Sequence, residues 1–157
     1  MGYDNRVIAR RYMDEIVSRG NYAILDEIAD EDLIVRDTSF PEGKGFAVLQ
    51  EHLEMFRAGF PDMTFVLDEL HVAGDRVIVK WTALGTQRGV FLGLPPTNRA
   101  VAVKGCELLR IYDGKVHEDD AYWDTYSIFE QLGLIPPMEE LARSRAQVEM
   151  REQPHVH

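Results

Sequence analysis

Four carboxylate side chains fall within residues 118–124, in a segment whose composition predicts a β-strand over residues 115–125. Successive side chains of a strand point to opposite faces. One face therefore carries Glu118, Asp120, Tyr122 and Asp124. Asp119 falls on the other face, and a β-bulge would exchange the two faces over part of the strand.

Clustered carboxyl groups of this kind are suited to acid–base catalysis. In a pocket of low dielectric constant they cannot all ionise cheaply, so the pKa of at least one of them rises. Such a group can take a proton from a carbon next to a carbonyl and return it to the forming oxygen. The alternative is a rim of solvated acids without a catalytic role.

A further carboxylate, Glu107, lies on the preceding predicted strand. It shares a face with Val103 and Leu109, whereas Lys104 and Arg110 lie on the opposite face. Apolar neighbours on its own face favour an inward-pointing carboxylate. Pairing of Glu107 with a basic neighbour is the competing interpretation.

Five other side chains could contact a substrate. Tyr12 lies on the apolar stripe of the first helix and either donates its hydroxyl to a substrate oxygen or packs in the core. His52 is either a base that titrates near neutral pH or a structural histidine. Trp81 and Tyr122 could supply a flat aromatic lining, and Gln87 could orient a carbonyl at the pocket mouth.

Asp37, at the end of the first predicted strand, is open to two interpretations. It could add another carboxylate to the pocket. It could equally organise the turn before Pro41, since aspartate side chains often accept hydrogen bonds from turn backbone.

Helices dominate the first part of the chain. Apolar residues recur at helical spacing over residues 4–19, 22–29 and 45–58. A strand is predicted over residues 33–38. Residues 39–44 contain Pro41 and Gly43 and are predicted to form a loop.

Strands dominate the second part, because the hydrophobic period there changes to two. They are predicted over residues 64–73, 76–87, 100–112 and 115–125. Asp113-Gly114, between the last two, is a strong hairpin signal. A helix over residues 126–132 follows. Helices first and strands afterwards indicate an α+β fold, with one domain over residues 1–135 and a charged helix and polar tail over residues 136–157.

Composition excludes several classes of function. The formal net charge of -10 and the pI of about 4.9 argue against binding to nucleic-acid backbones or anionic membranes. Cys106 is the single cysteine, so no intrachain disulfide can form. No phosphate-binding, dinucleotide-binding or zinc-protease motif is found, and no metal is expected. The first residues contain no apolar run, which favours a cytoplasmic protein.

Ordered segments of the chain resemble the SnoaL-like polyketide cyclase (ester cyclase) family of the NTF2-like superfamily. They are FRAGFPDMTFVLDEL, then GDRVIVKWTALGTQRGVFLGLPPTNRAV, then LLRIYDGKVHE followed by YWDTYSIFEQLG. The resemblance spans about residues 5–135. Its most specific part is GDRV-x-V-x-W-T-x-x-G-T followed by G-x-F-x-G-x-PPT.

The resemblance implies an NTF2-like cone, with N-terminal helices packed on a curved, mostly antiparallel sheet, and a homodimer or homotetramer. It also implies that no metal or organic cofactor takes part. The best-known family members close a ring by an intramolecular aldol reaction, for which an inward aspartate is implied as acid and base. Two positions depart from the family pattern: Gln87 replaces a frequent histidine, and Asp120 replaces a frequent tryptophan.

The family pattern turns the face of Glu118 and Asp120 toward the cavity. The expected catalytic residues are therefore Asp120, Glu107 and Asp124. The expected substrate-binding residues are Tyr12, Asp37, His52, Trp81, Gln87, Glu118 and Tyr122.

The function expected from the sequence is acid–base chemistry on a small apolar or aromatic carbonyl compound. Aldol-type cyclisation is the named version, and isomerisation, hydration or epoxide opening are related reactions on the same fold. The competing hypothesis is a non-catalytic domain that binds a small ligand or serves dimerisation.

Overall fold

The computed structural model describes residues 2–152, without the side chains of Glu149, Arg151 and Glu152. Its helices are α1 (Asn5–Arg11), α2 (Leu25–Ile28), α3 (Phe46–Gly59), α4 (Thr125–Gln131) and α5 (Met138–Glu152). Its strands are β1 (Ala29–Asp37), β2 (Phe40–Lys44), β3 (Thr64–Ala73), β4 (Arg76–Thr86), β5 (Ala100–Tyr112) and β6 (Lys115–Trp123).

The first helix changes its winding midway. α1 continues into a π-helical segment, Tyr12–Ser18, and the chain then turns through a short 3₁₀ segment, Tyr22–Ile24. Asp4 caps α1 by accepting a hydrogen bond from the backbone N–H of Arg6. The single long helix predicted over residues 4–19 is thus present, but the half that begins at Tyr12 is wound more loosely.

The six strands form one sheet in the order β2-β1-β6-β5-β4-β3. β1 pairs with β6 in parallel, and the other neighbouring strands are antiparallel. Helices α1 and α3 and the π-helical segment cover one face of this curved sheet. The predicted α+β cone is confirmed.

The main core lies between these helices and the sheet. It joins Tyr12 and Ile16 of the π-helical segment to Val77 of β4 and Leu109 of β5, which are all fully buried. A second cluster, formed by Phe60, Phe91, Val101, Val103, Ile128 and Leu132, closes the end of the sheet near α4.

The prediction of a loop over residues 39–44 is wrong, because β2 occupies most of that segment. β2 is the edge strand, and it pairs with β1 through Phe40 opposite Asp37 and Gly43 opposite Val35. Pro41 is tolerated there because an edge strand does not need every backbone N–H for a ladder.

The hairpin between β5 and β6 sets the orientation of the acidic residues. Asp113 and Gly114 both have positive φ angles, 49° and 78°, as a two-residue type I′ turn requires. Ile111 pairs with Val116 as expected, but Arg110 pairs with Glu118. His117 is therefore an extra residue at a β-bulge, and beyond it the faces of β6 are exchanged.

Helix α5 is exposed along all its described side chains. The division between a domain of residues 1–135 and a C-terminal helix and tail stays a prediction, and residues 153–157 of that tail lie outside the described part of the chain. Over residues 2–152, no helix is long and apolar enough to span a bilayer.

Candidate active site

A cavity opens between α3, the π-helical segment and the covered face of the sheet. Its total empty volume is about 770 Å³, part of which is open to solvent. Most of its wall is apolar, with five aromatic side chains: Phe56, Phe60, Phe65, Trp81 and Trp123. Three carboxylates interrupt this wall, namely Asp37, Glu107 and Asp119.

Strand register brings the three carboxylates together. Asp37 of β1 and Glu107 of β5 both lie opposite Ala121 of β6, so the three residues form one row across the sheet. Asp119 lies two residues from Ala121 on β6, on the same face. Diagonal neighbours of this kind are roughly 7–8 Å apart, and the methyl side chain of Ala121 leaves the space between them open.

Asp119 is almost completely buried, with 3% of its surface exposed. Its Oδ2 accepts a hydrogen bond of 2.5 Å from the hydroxyl of Tyr12, whereas no described residue donates to Oδ1. Burial raises the pKa of Asp119 to about 7, and the charges of Asp120 and Asp37 add to the rise, although the Tyr12 hydrogen bond opposes it. Asp119 therefore exchanges a proton near neutral pH.

Glu107 is buried to a similar degree, with 5% exposed. Its Oε2 has no donor within the described part of the protein. Burial raises the pKa of Glu107 well above its usual range, and the nearby carboxylates of Asp119 and Asp37 raise it further. Both effects favour the protonated form of Glu107.

Asp37 both lines the cavity and organises a turn, so the two interpretations of this residue are compatible. The indole N–H of Trp123 donates to both of its carboxylate oxygens at 3.1 Å. The backbone N–H of Ser39 donates to Oδ1 at 2.7 Å. These donors hold the Asp37 carboxylate in a fixed orientation.

The expected orientation of Glu118, Asp120 and Tyr122 is wrong. The face that carries them points away from the cavity, because the bulge at His117 exchanges the faces of β6. Asp120 accepts from Arg36 at 2.9 Å. Glu118 is paired with three arginines, Arg36, Arg76 and Arg110, at 3.3, 3.3 and 3.1 Å, and Tyr122 is 52% exposed.

The expected position of Asp124 is also corrected. Its Oδ1 accepts a hydrogen bond of 3.0 Å from the backbone N–H of Ser127 and so caps the start of α4. This is the usual role of an aspartate immediately before a helix. Asp124 does not line the cavity.

Gln87 is likewise not at the cavity mouth. It is fully buried, and its side chain holds together the loop after β4. Its amide N–H group donates to the carbonyl oxygens of Gly89, Leu94 and Pro95, and its amide oxygen accepts from Thr97. A buried side-chain amide with its donors and acceptor satisfied stabilises a loop.

Three other predicted residues are at or behind the cavity. His52 and Trp81 line it, and the ring of His52 lies 4.9 Å from that of Phe40. Tyr12 is fully buried and reaches the cavity only through its hydrogen bond to Asp119. Within residues 2–152, no group of three His, Cys, Asp or Glu residues is arranged to hold a metal ion.

Asp119 is the site residue that the sequence analysis assigned to the wrong face. The signal that identifies it is a change of parity along β6. Val116 is buried at an even position, whereas the cavity-lining Ala121 and Trp123 are at odd positions. Apolar residues can change parity within one strand only if a residue is inserted between them.

Comparison with known proteins gives a consistent family. The model of the SnoaL-like polyketide cyclase family matches residues 7–132. A search of curated proteins found no match.

Among solved structures, the chain is similar to a proposed SnoaL-like polyketide cyclase from Jannaschia sp. CCS1. The two are 26% identical, with a TM-score of 0.76 over 85% of this chain and 93% of that one. AclR, a proposed hydroxylase from Streptomyces galilaeus, is 24% identical, with a TM-score of 0.74 over 97% of each chain.

A protein from Catenulispora acidiphila with a ketosteroid isomerase-like fold, solved in complex with trimethylamine, is 19% identical. Its TM-score is 0.67 over 82% of this chain and 93% of that one. At these identities the last two structures establish the fold alone.

Proposed function

Because this chain belongs to the SnoaL-like polyketide cyclase family, we propose that it catalyses cofactor-independent acid–base chemistry on a small, apolar carbonyl compound held in the cavity. One observation carries the proposal. Asp119 and Glu107 are neighbouring buried carboxyl groups, and each has an oxygen to which no described residue donates.

Such a pair is costly for stability. A buried carboxyl group must either remain protonated or carry a poorly solvated charge. Because the same group ionises readily in the unfolded chain, rising pH favours unfolding. An apolar residue at either position would remove this cost. Groups with raised pKa values that converge on one cavity are typical of catalytic acids and bases.

The first chemical step assigned to the pair is proton abstraction. Asp119, as the carboxylate, takes a proton from the carbon next to the substrate carbonyl, while Tyr12 holds its other oxygen in place. Glu107, in its protonated form, donates a hydrogen bond to the carbonyl oxygen as negative charge develops there. The product of this step is an enolate, and Asp119 holds the proton.

The second step closes a ring. The enolate carbon forms a bond to a second carbonyl carbon of the same molecule, and the π bond of that carbonyl breaks. Its oxygen takes the proton from Asp119, which returns to the carboxylate. The sum is an aldol cyclisation in which no atom is lost and no electron is supplied from outside.

A probe that needs no knowledge of the natural substrate tests the first step. 2-Tetralone is a flat bicyclic ketone with acidic protons at C1. In D₂O at pD 7.5 we expect the protein to accelerate exchange of these protons for deuterium, as followed by ¹H NMR. General-base assistance of this type is worth about 100- to 10,000-fold.

Asp119→Asn should abolish the acceleration, whereas Asp120→Asn, on the outer face, should retain it. Equal rates for the wild type, Asp119→Asn and the buffer alone would contradict the proposal. They would support the alternative of a non-catalytic ligand-binding domain.

The proposal extends to assembly and location. The outer face of the sheet exposes large apolar side chains, including Val66, Ile78 and Tyr122. We propose that this face forms the interface of a homodimer, with a homotetramer as the alternative. We also propose that the protein is located in the cytoplasm. The charge of -10 disfavours nucleic acid and anionic membranes as partners.

A further inference from the structure

We propose that the indole N–H of Trp81 positions the substrate by donating a hydrogen bond to its carbonyl oxygen. The inference rests on the proposed function, since it concerns the same cavity. It adds a requirement on the ligand: a molecule that fills the cavity productively must present a hydrogen-bond acceptor to β4.

The first observation is an unused donor. Trp81 is 5% exposed and lines the cavity, yet nothing in the described part of the protein accepts a hydrogen bond from its Nε1. A buried N–H almost always has a partner, because leaving it unpaired forfeits the hydrogen bond it made with water. A carbonyl oxygen in the cavity supplies that partner.

The second observation is the position of the ring. Trp81 pairs with Gly105 of β5, and a side chain at Gly105 would have its Cβ only 2.5 Å from Cζ2 and Cη2 of the indole. Cζ2 is on the edge of the indole that also carries Nε1. The donor edge therefore lies over β5, two residues from Glu107 along that strand.

A third observation fixes the ring in this orientation. Phe65 of β3 packs against Trp81 edge to face, with ring centroids 4.9 Å apart. The indole thus lies between Phe65 of β3 and Gly105 of β5. The N–H is thus preorganised, which is what a substrate-positioning donor needs.

Trp123 provides a contrast on the same row of the sheet. It also pairs with Gly105 and lines the cavity. Its indole N–H, however, donates to the carboxylate of Asp37 at 3.1 Å. Two tryptophans thus flank one glycine, but only one of their two donors is left for a ligand.

Three buried polar atoms without a partner define the ligand class. Among the described residues they are Nε1 of Trp81, Oε2 of Glu107 and Oδ1 of Asp119. A ketone with an acidic C–H next to its carbonyl is complementary to all three. Its oxygen accepts from Trp81 and Glu107, and its C–H faces Asp119.

An NMR experiment tests the donor directly. The indole N–H signals of Trp81 and Trp123 are assigned in ¹H–¹⁵N spectra with Trp81→Phe and Trp123→Phe, and 2-tetralone or tetralin is then titrated. Tetralin has the same ring system without the oxygen. We expect 2-tetralone to shift the Trp81 signal downfield and tetralin to leave it without a downfield shift, while the Trp123 signal moves little with either.

Affinity gives a second readout. Loss of one hydrogen bond corresponds to roughly 3- to 10-fold weaker binding. Trp81→Phe should therefore weaken the affinity for 2-tetralone by roughly 3- to 10-fold and change the affinity for tetralin by less than about 2-fold. Trp123→Phe should not discriminate between the two ligands. The inference is overturned if Trp81→Phe weakens the affinity for both ligands equally. It is also overturned if 2-tetralone causes no downfield shift of the Trp81 signal in the wild type. A failure of 2-tetralone to bind overturns it as well.

The outcomes separate this inference from the proposed function. Binding with a downfield Trp81 shift but no deuterium exchange would leave the donor established and refute the catalytic proposal. Deuterium exchange that depends on Asp119 but is unaffected in Trp81→Phe would support the catalytic proposal and refute the role of Trp81 as a donor.

Discussion

Two carboxyl groups in different environments define the chemistry at the scale of single residues. Asp119 and Asp120 are neighbours in sequence, yet Asp119 is buried beside Tyr12 and Asp120 is paired with Arg36 on the outer face. Burial without a cationic partner raises the pKa of Asp119 to about 7. The cavity thus obtains a group that changes its charge near neutral pH.

The raised pKa of Asp119 predicts a pH-dependent cost in stability. In the unfolded chain this carboxyl ionises near pH 3.8, but in the folded protein only near pH 7. Ionisation therefore favours unfolding progressively between about pH 4 and pH 7. Asp119→Asn, whose amide oxygen still accepts from Tyr12, should be more stable than the wild type at pH 8 by at most about 4 kcal/mol.

Urea unfolding at pH 4 and pH 8 measures this difference, which should nearly vanish at pH 4. Asp120→Asn is the control, and it should be no more stable than the wild type at either pH because it loses an ion pair. An Asp119→Asn variant that is less stable than the wild type at pH 8 would contradict the unfavourable burial of its charge.

Tyr12 should set the working pH of Asp119. Its hydroxyl stabilises the carboxylate, so Tyr12→Phe should raise the pKa of Asp119 further. The pH dependence of deuterium exchange into 2-tetralone should then move to higher pH. Tyr22→Phe is a matched control, since Tyr22 donates to Glu54 at 2.6 Å outside the cavity. An unchanged profile in Tyr12→Phe would show that Tyr12 serves packing alone.

At the scale of elements, the sequence predicts the strands and helices well but not the orientation of the acids. The Asp113-Gly114 turn locates the β5–β6 hairpin correctly. The extra residue at His117 cannot be seen from the turn, because the two turn residues do not specify a bulge further along the strand. His117 stacks on Tyr112 at 3.6 Å. The family pattern therefore turns the face of Glu118 and Asp120 toward the cavity, whereas the bulge places Asp119 there.

The edge strand β2 and Gln87 illustrate the same limit. Pro41 and Gly43 indicate a loop, and only the position of the segment at the sheet edge makes a strand possible. From the sequence, Gln87 is expected at the pocket mouth, where a polar side chain is typical of a ligand contact. Its hydrogen bonds to the loop of residues 88–97 depend on a backbone path that local sequence does not specify.

The role of Asp124 as a helix cap is testable at this scale. Asp124→Ala removes the acceptor for the Ser127 N–H and should cost about 0.5–2 kcal/mol of unfolding free energy. Asp124→Ser keeps a capping oxygen and should recover most of that loss. Chemical denaturation measures both variants. If both also keep the exchange activity, Asp124 has no catalytic part, whereas loss of activity in a stable Asp124→Ser would contradict the assignment.

At the scale of the whole molecule, the sheet separates two environments. Its covered face holds the cavity, and its outer face carries an arginine–carboxylate network around Glu118 next to exposed apolar side chains. Apolar exposure of this kind often marks an interface. The family fold and these residues together are the basis for the proposed dimer.

The dimer predicts a specific effect of charge on the outer face. Ile78 is 46% exposed there, and Ile78→Glu would put a carboxylate in the interface of two copies. We expect sedimentation velocity to show a wild-type dimer of about 36 kDa, twice 18.0 kDa, and a monomeric variant. Val148→Glu, at an exposed position of α5, should leave the dimer intact. A wild-type monomer would refute the assignment.

Asp119 and Glu107 share an apolar cavity, and burial there raises the pKa of both carboxyl groups. A ¹³C NMR titration of the side-chain carboxyl groups measures this directly, with the two signals assigned through Asp119→Asn and Glu107→Gln. We predict that Asp119 titrates near pH 7 and that the pKa of Glu107 lies well above its usual range. Titration of both groups near pH 4, like solvated carboxylates, would contradict the account.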